Sequence, residues 1–167
     1  MLYKAKKVYV CLLICVLLII LLTQIFNYKN KASSEELNDI YKQSIDFLND
    51  FYNKNVDNTY EQLLEKNTCD PNYKTKNDWS LAIFNDISEQ TLVKISKPTT
   101  SSDISYILNS DYPNETYLVE FSLVVNHLGK NEKRTGEIEY IKTDNGFKVY
   151  KFSIDTLEDS GGRWVLY

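Results

Sequence analysis

The sequence predicts an α+β fold: an N-terminal transmembrane helix, then two or three helices packed on a curved antiparallel sheet. Three observations carry this prediction. An uncharged apolar run fills residues 8–26, apolar positions recur at three- and four-residue steps over 34–87, and apolar and polar residues alternate over much of 91–155. Helices first and strands afterwards is the order expected when helices cover one face of an antiparallel sheet.

Residues 8–26 read VYVCLLICVLLIILLTQIF, without charge, Gly or Pro. At about 1.5 Å per residue such a helix nearly spans the roughly 30 Å of bilayer hydrocarbon. The expected anchor residues are Val8, Leu12, Leu13, Leu17, Leu18, Ile19, Ile20, Leu21, Leu22, Ile25 and Phe26. Lys4, Lys6 and Lys7 precede the run, whereas Lys29 and Lys31 after it are soon joined by Glu35 and Glu36, which favours the N-terminus inside. The expectation is a cytoplasmic segment 1–7, a single span 8–26 in the cytoplasmic membrane, a linker 27–33 and one extracytoplasmic domain 34–167. No small-x-small site follows Leu22, and the residues before Cys11 and Cys15 are Val10 and Ile14 rather than small ones. The span is therefore expected to stay uncleaved.

The first 26 residues hold three of the 19 basic residues and no acid, so residues 27–167 carry 16 basic and 23 acidic residues, a net charge of −7. Nucleic-acid binding rests on Lys and Arg neutralising phosphate, so no nucleic-acid partner is expected. Lys130, Lys133 and Arg134 are read as a solvated loop tip. Cys69 is the sole cysteine after the span, so no disulfide forms within the domain. Few Gly and Pro beside abundant Asn and Lys is the bias of an AT-rich bacterial genome.

Ser33 or Ser34, with Glu35 and Glu36 behind it, is an N-cap with acids in the first turn, and predicts a helix to about Lys54. Its apolar face holds Leu37, Ile40, Tyr41, Ile45, Phe47, Leu48, Phe51 and Tyr52. Asp57 or Asn58 is expected to cap a second helix that places Tyr60, Leu63 and Leu64 together and ends near Asn67. Asn77 or Asp78 is expected to cap a third, with Trp79, Ala82, Ile83 and Ile87 inward.

Strands are predicted at 91–97, with Leu92 opposed to Val93 and Ile95, and at 104–108. Tyr117, Val119, Phe121, Leu123 and Val125 alternate with Glu120 and Ser122 along a long strand. The next strand, 133–143, sets Gly136, Ile138 and Tyr140 against Glu137, Glu139 and Ile141. Asp144-Asn145-Gly146 predicts a hairpin. Strand 147–155 then sets Lys148, Tyr150, Phe152 and Ile154 against Phe147, Val149, Lys151 and Ser153, and Trp164 to Tyr167 reads as a last edge strand.

The segment from Gly136 to Ile154, GEIEYIKTDNGFKVYKFSI, resembles the nuclear transport factor 2-like (cystatin-like) superfamily, whose members pass from strand through an Asp/Asn-Gly turn to an aromatic and a second strand. The resemblance covers about residues 34–155 and implies a cone of helices and curved sheet with a conical cavity. A short N-terminus, one span and one such domain together resemble the inner-membrane scaffold of type IV secretion and conjugation systems. That resemblance implies work by protein–protein contact or self-association, without catalysis.

The chemistry on offer is sparse. His127 is the single histidine and is read as a solvated loop residue; with one cysteine in the domain it cannot complete a zinc set, so no metal and no cofactor are expected. There is no phosphate loop, nucleophile elbow or Cys–His signature, so no enzyme is expected. Glu137 and Glu139 are read as solvent-side carboxylates. The candidate pocket residues are Tyr117, Glu120, Tyr140 and Tyr150, with Glu120 placed on the more buried strand. The leading expectation is a membrane-anchored interaction or scaffold domain whose partners are the bilayer and other proteins or a second copy. The alternative is a small-ligand-binding or sensing domain of the same fold.

Overall fold

The computed structural model describes residues 14, 16–19, 32–64, 75–107, 116–155 and 163–166, with backbone alone at 82–86 and 163–166. The chain divides into two compact units, Met1–Ala32 and Ser33–Tyr167. In the first unit Ile14, Val16, Leu17, Leu18 and Ile19 are helical and exposed. The other expected anchor residues, Val8, Leu12, Leu13, Ile20, Leu21, Leu22, Ile25 and Phe26, lie outside the described residues. Among those described, no helix is long and apolar enough to cross a membrane.

The second unit has the expected mixed architecture of helices and an antiparallel sheet. Helix α1, Ser34–Tyr52, starts where the cap predicts. Glu36 N–H donates to Ser33 Oγ at 3.2 Å and Ser33 N–H donates to Glu36 Oε2 at 2.7 Å, a reciprocal capping box. Ile40, Ser44, Phe47, Leu48, Phe51 and Tyr52 form its buried stripe.

Helix α2, Val56–Gln62, is capped by Asn55, two residues before the nearer of the two expected caps. It stops at Gln62 rather than near Asn67, because the chain turns extended at Leu63, which bridges Val149, while Leu64 N–H donates to the Val149 carbonyl at 2.9 Å. Helix α3, Lys76–Ile87, is capped by Thr75, and Asp78 is the third residue of its capping box instead of the cap. The fully buried Trp79 of α3 donates its indole N–H to Thr59 Oγ1 of α2 at 2.9 Å, pinning the two helices together. The Ala82 and Ile83 side chains lie outside the described residues.

Beyond the helices come six strands: β1 Gln90–Lys97, β2 Ile104–Ile107, β3 Thr116–His127, β4 Lys130–Thr143, β5 Gly146–Asp155 and β6 Arg163–Leu166. They form one antiparallel sheet in the order β1-β3-β4-β5-β6, and β2 also pairs with β3. β1 takes the 122–127 half of β3 and β2 takes the 116–119 half. Between them Pro98, which has no N–H to donate, and a 3-10 turn at Ser101–Asp103 interrupt the edge. Asp103 accepts the Thr99 and Thr100 N–H groups and the Thr99 hydroxyl, and these bonds, the Thr99 N–H first, hold its carboxyl below the usual range.

Three β-bulges decide which side chains face inward. Val93 and Ser96 are extra residues on β1, and Tyr150 is extra on β5. A bulge adds one residue to one strand and so flips its parity while bending the sheet. Two expectations are corrected on this ground. Leu92 and Ile95 both face the core, opposite Val125 and Leu123, while Val93 stands out. Val149 joins Phe152 and Ile154 on the buried side, and Tyr150 is displaced from it.

The core lies between α1, α3 and this face of the sheet. Phe152 is its hub, with ring centroids 5.2 Å from Phe47, 4.9 Å from Phe51 and 5.7 Å from Phe121. Edge-on and offset rings at these spacings fill the interior tightly. Gly136, opposite Phe121, leaves room for that ring: a Cβ there would come within 2.4 Å of it and 2.1 Å of the Ser153 carbonyl oxygen.

The two hairpins turn differently. At β4–β5 the positive φ falls on Gly146 alone, at 98°, rather than on Asn145. At β3–β4 the strands run on to His127 and Lys130, so the loop expected before Lys133 is a two-residue turn. Leu128 and Gly129 both take positive φ there, 50° and 82°. That is the type I′ pattern, which normally selects Asn, Asp or Gly.

Candidate functional site

The sheet carries the four candidate pocket residues on different sides. Tyr117 and Tyr140 face each other on β3 and β4 and point into the core, both buried. Tyr117 packs edge-on against Tyr106 and Phe147, at 5.7 and 5.6 Å. The Tyr140 hydroxyl is buried without a hydrogen bond of good geometry, although Ser44 lies beside it; Ser44 gives its own proton to the Ile40 carbonyl at 2.7 Å. Burial pushes the Tyr140 phenol far above its ordinary value of 10, outweighing the Ser44 contact. Tyr150 is the half-buried bulge residue. Glu120 lies on the outer face, exposed, away from the tyrosines.

Glu120 instead lines an open groove of about 540 Å³ on the outer face, with Lys97, Lys133, Thr135, Glu137 and Asp155 among its walls. Glu120 and Glu137 stand directly opposite each other on adjacent strands, a repulsive arrangement that water tolerates at an exposed site. Thr135 donates its hydroxyl to Asp155. Glu139, the other carboxylate of that face, is paired with Lys151 at 3.2 Å.

A second groove, about 740 Å³ and wide open, runs between α1 and α2 and is lined by Asp39, Asp46, Asp50 and Glu61 with Lys42 and Lys148. Lys148 donates to the Glu61 carbonyl at 2.7 Å, which ties β5 to α2 across it.

Sequence reasoning missed the cluster at the β3–β4 end. Its signal is the extension of the alternation through His127 and Glu132, in a stretch whose charges suggest a loop. His127 is half-buried, its ring nitrogens 3.7 Å from Glu132 and 3.9 Å from Glu89. Arg134, expected in a solvated tip, occupies a core-facing position opposite Leu123 and is 4 % exposed. It reaches Glu132 at 3.1 Å and the Asp155 carbonyl at 3.4 Å, and its Nε has no hydrogen-bond partner. The nearby Tyr52 hydroxyl is likewise unpartnered; burial drives its phenol far above 10, against a smaller opposing effect of the Arg134 charge. Glu89, His127, Glu132 and Arg134 thus stand in a row at this end, with Glu132 and Arg134 the ion pair within it. Among the described residues no group of His, Cys, Asp and Glu is placed to hold a metal.

Compared with known proteins, the chain matches no family model, no curated protein and no solved structure.

Proposed function

We propose that this chain is a non-enzymatic interaction or scaffold domain, held outside the cytoplasmic membrane by a helix over residues 8–26 and built as a nuclear transport factor 2-like cone. The observation that carries the reading is the filled interior. Phe47, Phe51, Trp79, Phe121 and Phe152 occupy the space where a cone of this kind would hold a ligand. The concavities described on this unit are open surface grooves walled by polar side chains, which suit contact with another macromolecule better than enclosure of a small one. The exposed helical side chains at Ile14 and Val16 to Ile19 support the tether.

The test is the full chain in nanodiscs, measured by light scattering and by cross-linking in native envelopes. Self-association or a reproducible envelope partner is the expected result. A strict monomer without cross-linked partners overturns the reading.

One observation favours a second reading, small-ligand sensing: the outer groove brings Glu120, Lys97, Lys133 and Thr135 together. Thermal-shift screening with small polar metabolites would then find a stabiliser whose effect is lost in Glu120→Gln.

A further inference from the structure

Two backbone irregularities at one end of the sheet each turn an apolar side chain into solvent. Leu128, at the β3–β4 turn, is held in the left-handed region and is 71 % exposed. Val93, the extra residue of a β1 bulge, is 52 % exposed. Lys94 and Lys133 flank them from either side of β3, both registered opposite Val124, and Lys130 closes the turn. All three lysines are exposed, and among the described residues none enters an ion pair. Of the acids nearby, Glu132 lies against His127 and Arg134, Glu89 is exposed 3.9 Å from His127, and Glu120, Glu137 and Asp155 share the outer groove with Lys133, away from the turn. The carboxylates Asp39, Asp46, Asp50 and Glu61 line the helix groove instead. The domain is thus electrically lopsided: acidic in total, basic and apolar at the hairpin.

We propose that this hairpin end docks on the anionic phospholipid surface of the membrane, an inference that rests on the tether over residues 8–26. The chemistry matches a lipid interface on both counts. Leu128 and Val93 offer short apolar side chains to the headgroup–acyl boundary, and the three lysines offer charge to the phosphates around them. The net negative charge of the rest repels an anionic surface, so the field of the membrane selects this end for contact. Three lysines and two apolar side chains would hold a free protein only weakly. A tethered domain meets the surface at an effective concentration in the millimolar range, where weak contacts suffice. Seven residues, 27–33, join that helix to α1, a contour length of up to roughly 23 Å.

The test uses the full chain in nanodiscs of phosphatidylcholine alone and of phosphatidylcholine with phosphatidylglycerol, reading amide hydrogen exchange in the peptide spanning 126–132. Exchange is expected to slow about tenfold in the anionic discs. The protection should be lost at high salt and in the Lys130→Glu, Lys133→Glu double variant. Leu128→Asn, which suits the left-handed turn and so preserves the fold, should lose it in part. Equal exchange in the two lipids, or protection untouched by these variants, overturns the docking while leaving the tether intact. A chain that is not retained by the discs overturns the tether and with it this proposal; that failure shows as missing protein before any exchange is read.

Discussion

Gly136 shows how much one missing side chain does in this sheet. Phe121 lies across it and stacks on Phe152, and the β5 backbone at Ser153 closes the other approach. Backbone cannot step aside as a flexible side-chain tip can. Gly136→Ala is expected to cost roughly 3 kcal/mol by overpacking, read as a lower midpoint in urea unfolding. A variant as stable as the parent would mean that β4 and β5 can separate here without loss. Glu120 and Arg134 make the complementary point. Glu120 lies outside, on the face its alternation with Tyr117, Val119 and Phe121 assigns it and not in a pocket with the tyrosines, whereas Arg134, read as a solvated base, is turned inside by the parity of β4. Parity was legible for β3, where alternation is unbroken, but the start of β4 was hidden by a charged stretch that reads as loop.

At the scale of elements, the start of α1 was legible because its cap is local chemistry, whereas the α2 and α3 caps, Asn55 and Thr75, each lie two residues before the nearer expected one. Ser33 with Glu36 satisfied the expectation directly. The bulged strands were not legible, since an extra residue leaves composition unchanged and shows itself only in the partner's register. The α1 cap also carries a pH dependence. Lys142 donates to Glu36 across the β4 end at 2.8 Å, and the Ser33 N–H adds to it. Together, Lys142 foremost, they hold the Glu36 carboxyl below its ordinary 4.5. A carboxyl depressed in the fold stabilises it fully above that ordinary value, and the contribution is lost as pH falls through the lower, folded value. The gap in melting temperature between the parent and Glu36→Gln should therefore be constant from neutral pH to about 5 and close on further acidification. A gap that widens in acid would refute this assignment.

For the whole molecule, the division at Ser33 predicts independent folding of the second unit. A chain beginning at Ala32 should keep its capping serine and melt cooperatively, within roughly 4 °C of the full chain, a change of no more than about 1 kcal/mol. Loss of the near-ultraviolet aromatic signal on truncation would show that the first unit completes the core. The α+β order was legible as a whole because the periodicity changes sharply near Gln90, where α3 gives way to β1. The filled interior was not, since the sequence shows how many aromatic rings there are but not that four phenylalanines and a tryptophan converge.

The irregular outer strand has a consequence for crowded copies of this domain. A long, straight, unpaired strand would invite neighbours to zip together into ribbons. Here one border of the sheet is kinked twice, at Val93 and Ser96, carries Lys94 and Lys97, and breaks off before β2; the opposite border, β6, is four residues long. Among the described residues neither border offers a long, straight register that a neighbouring molecule could extend. Crowded copies can therefore meet through side chains without polymerising through their backbones.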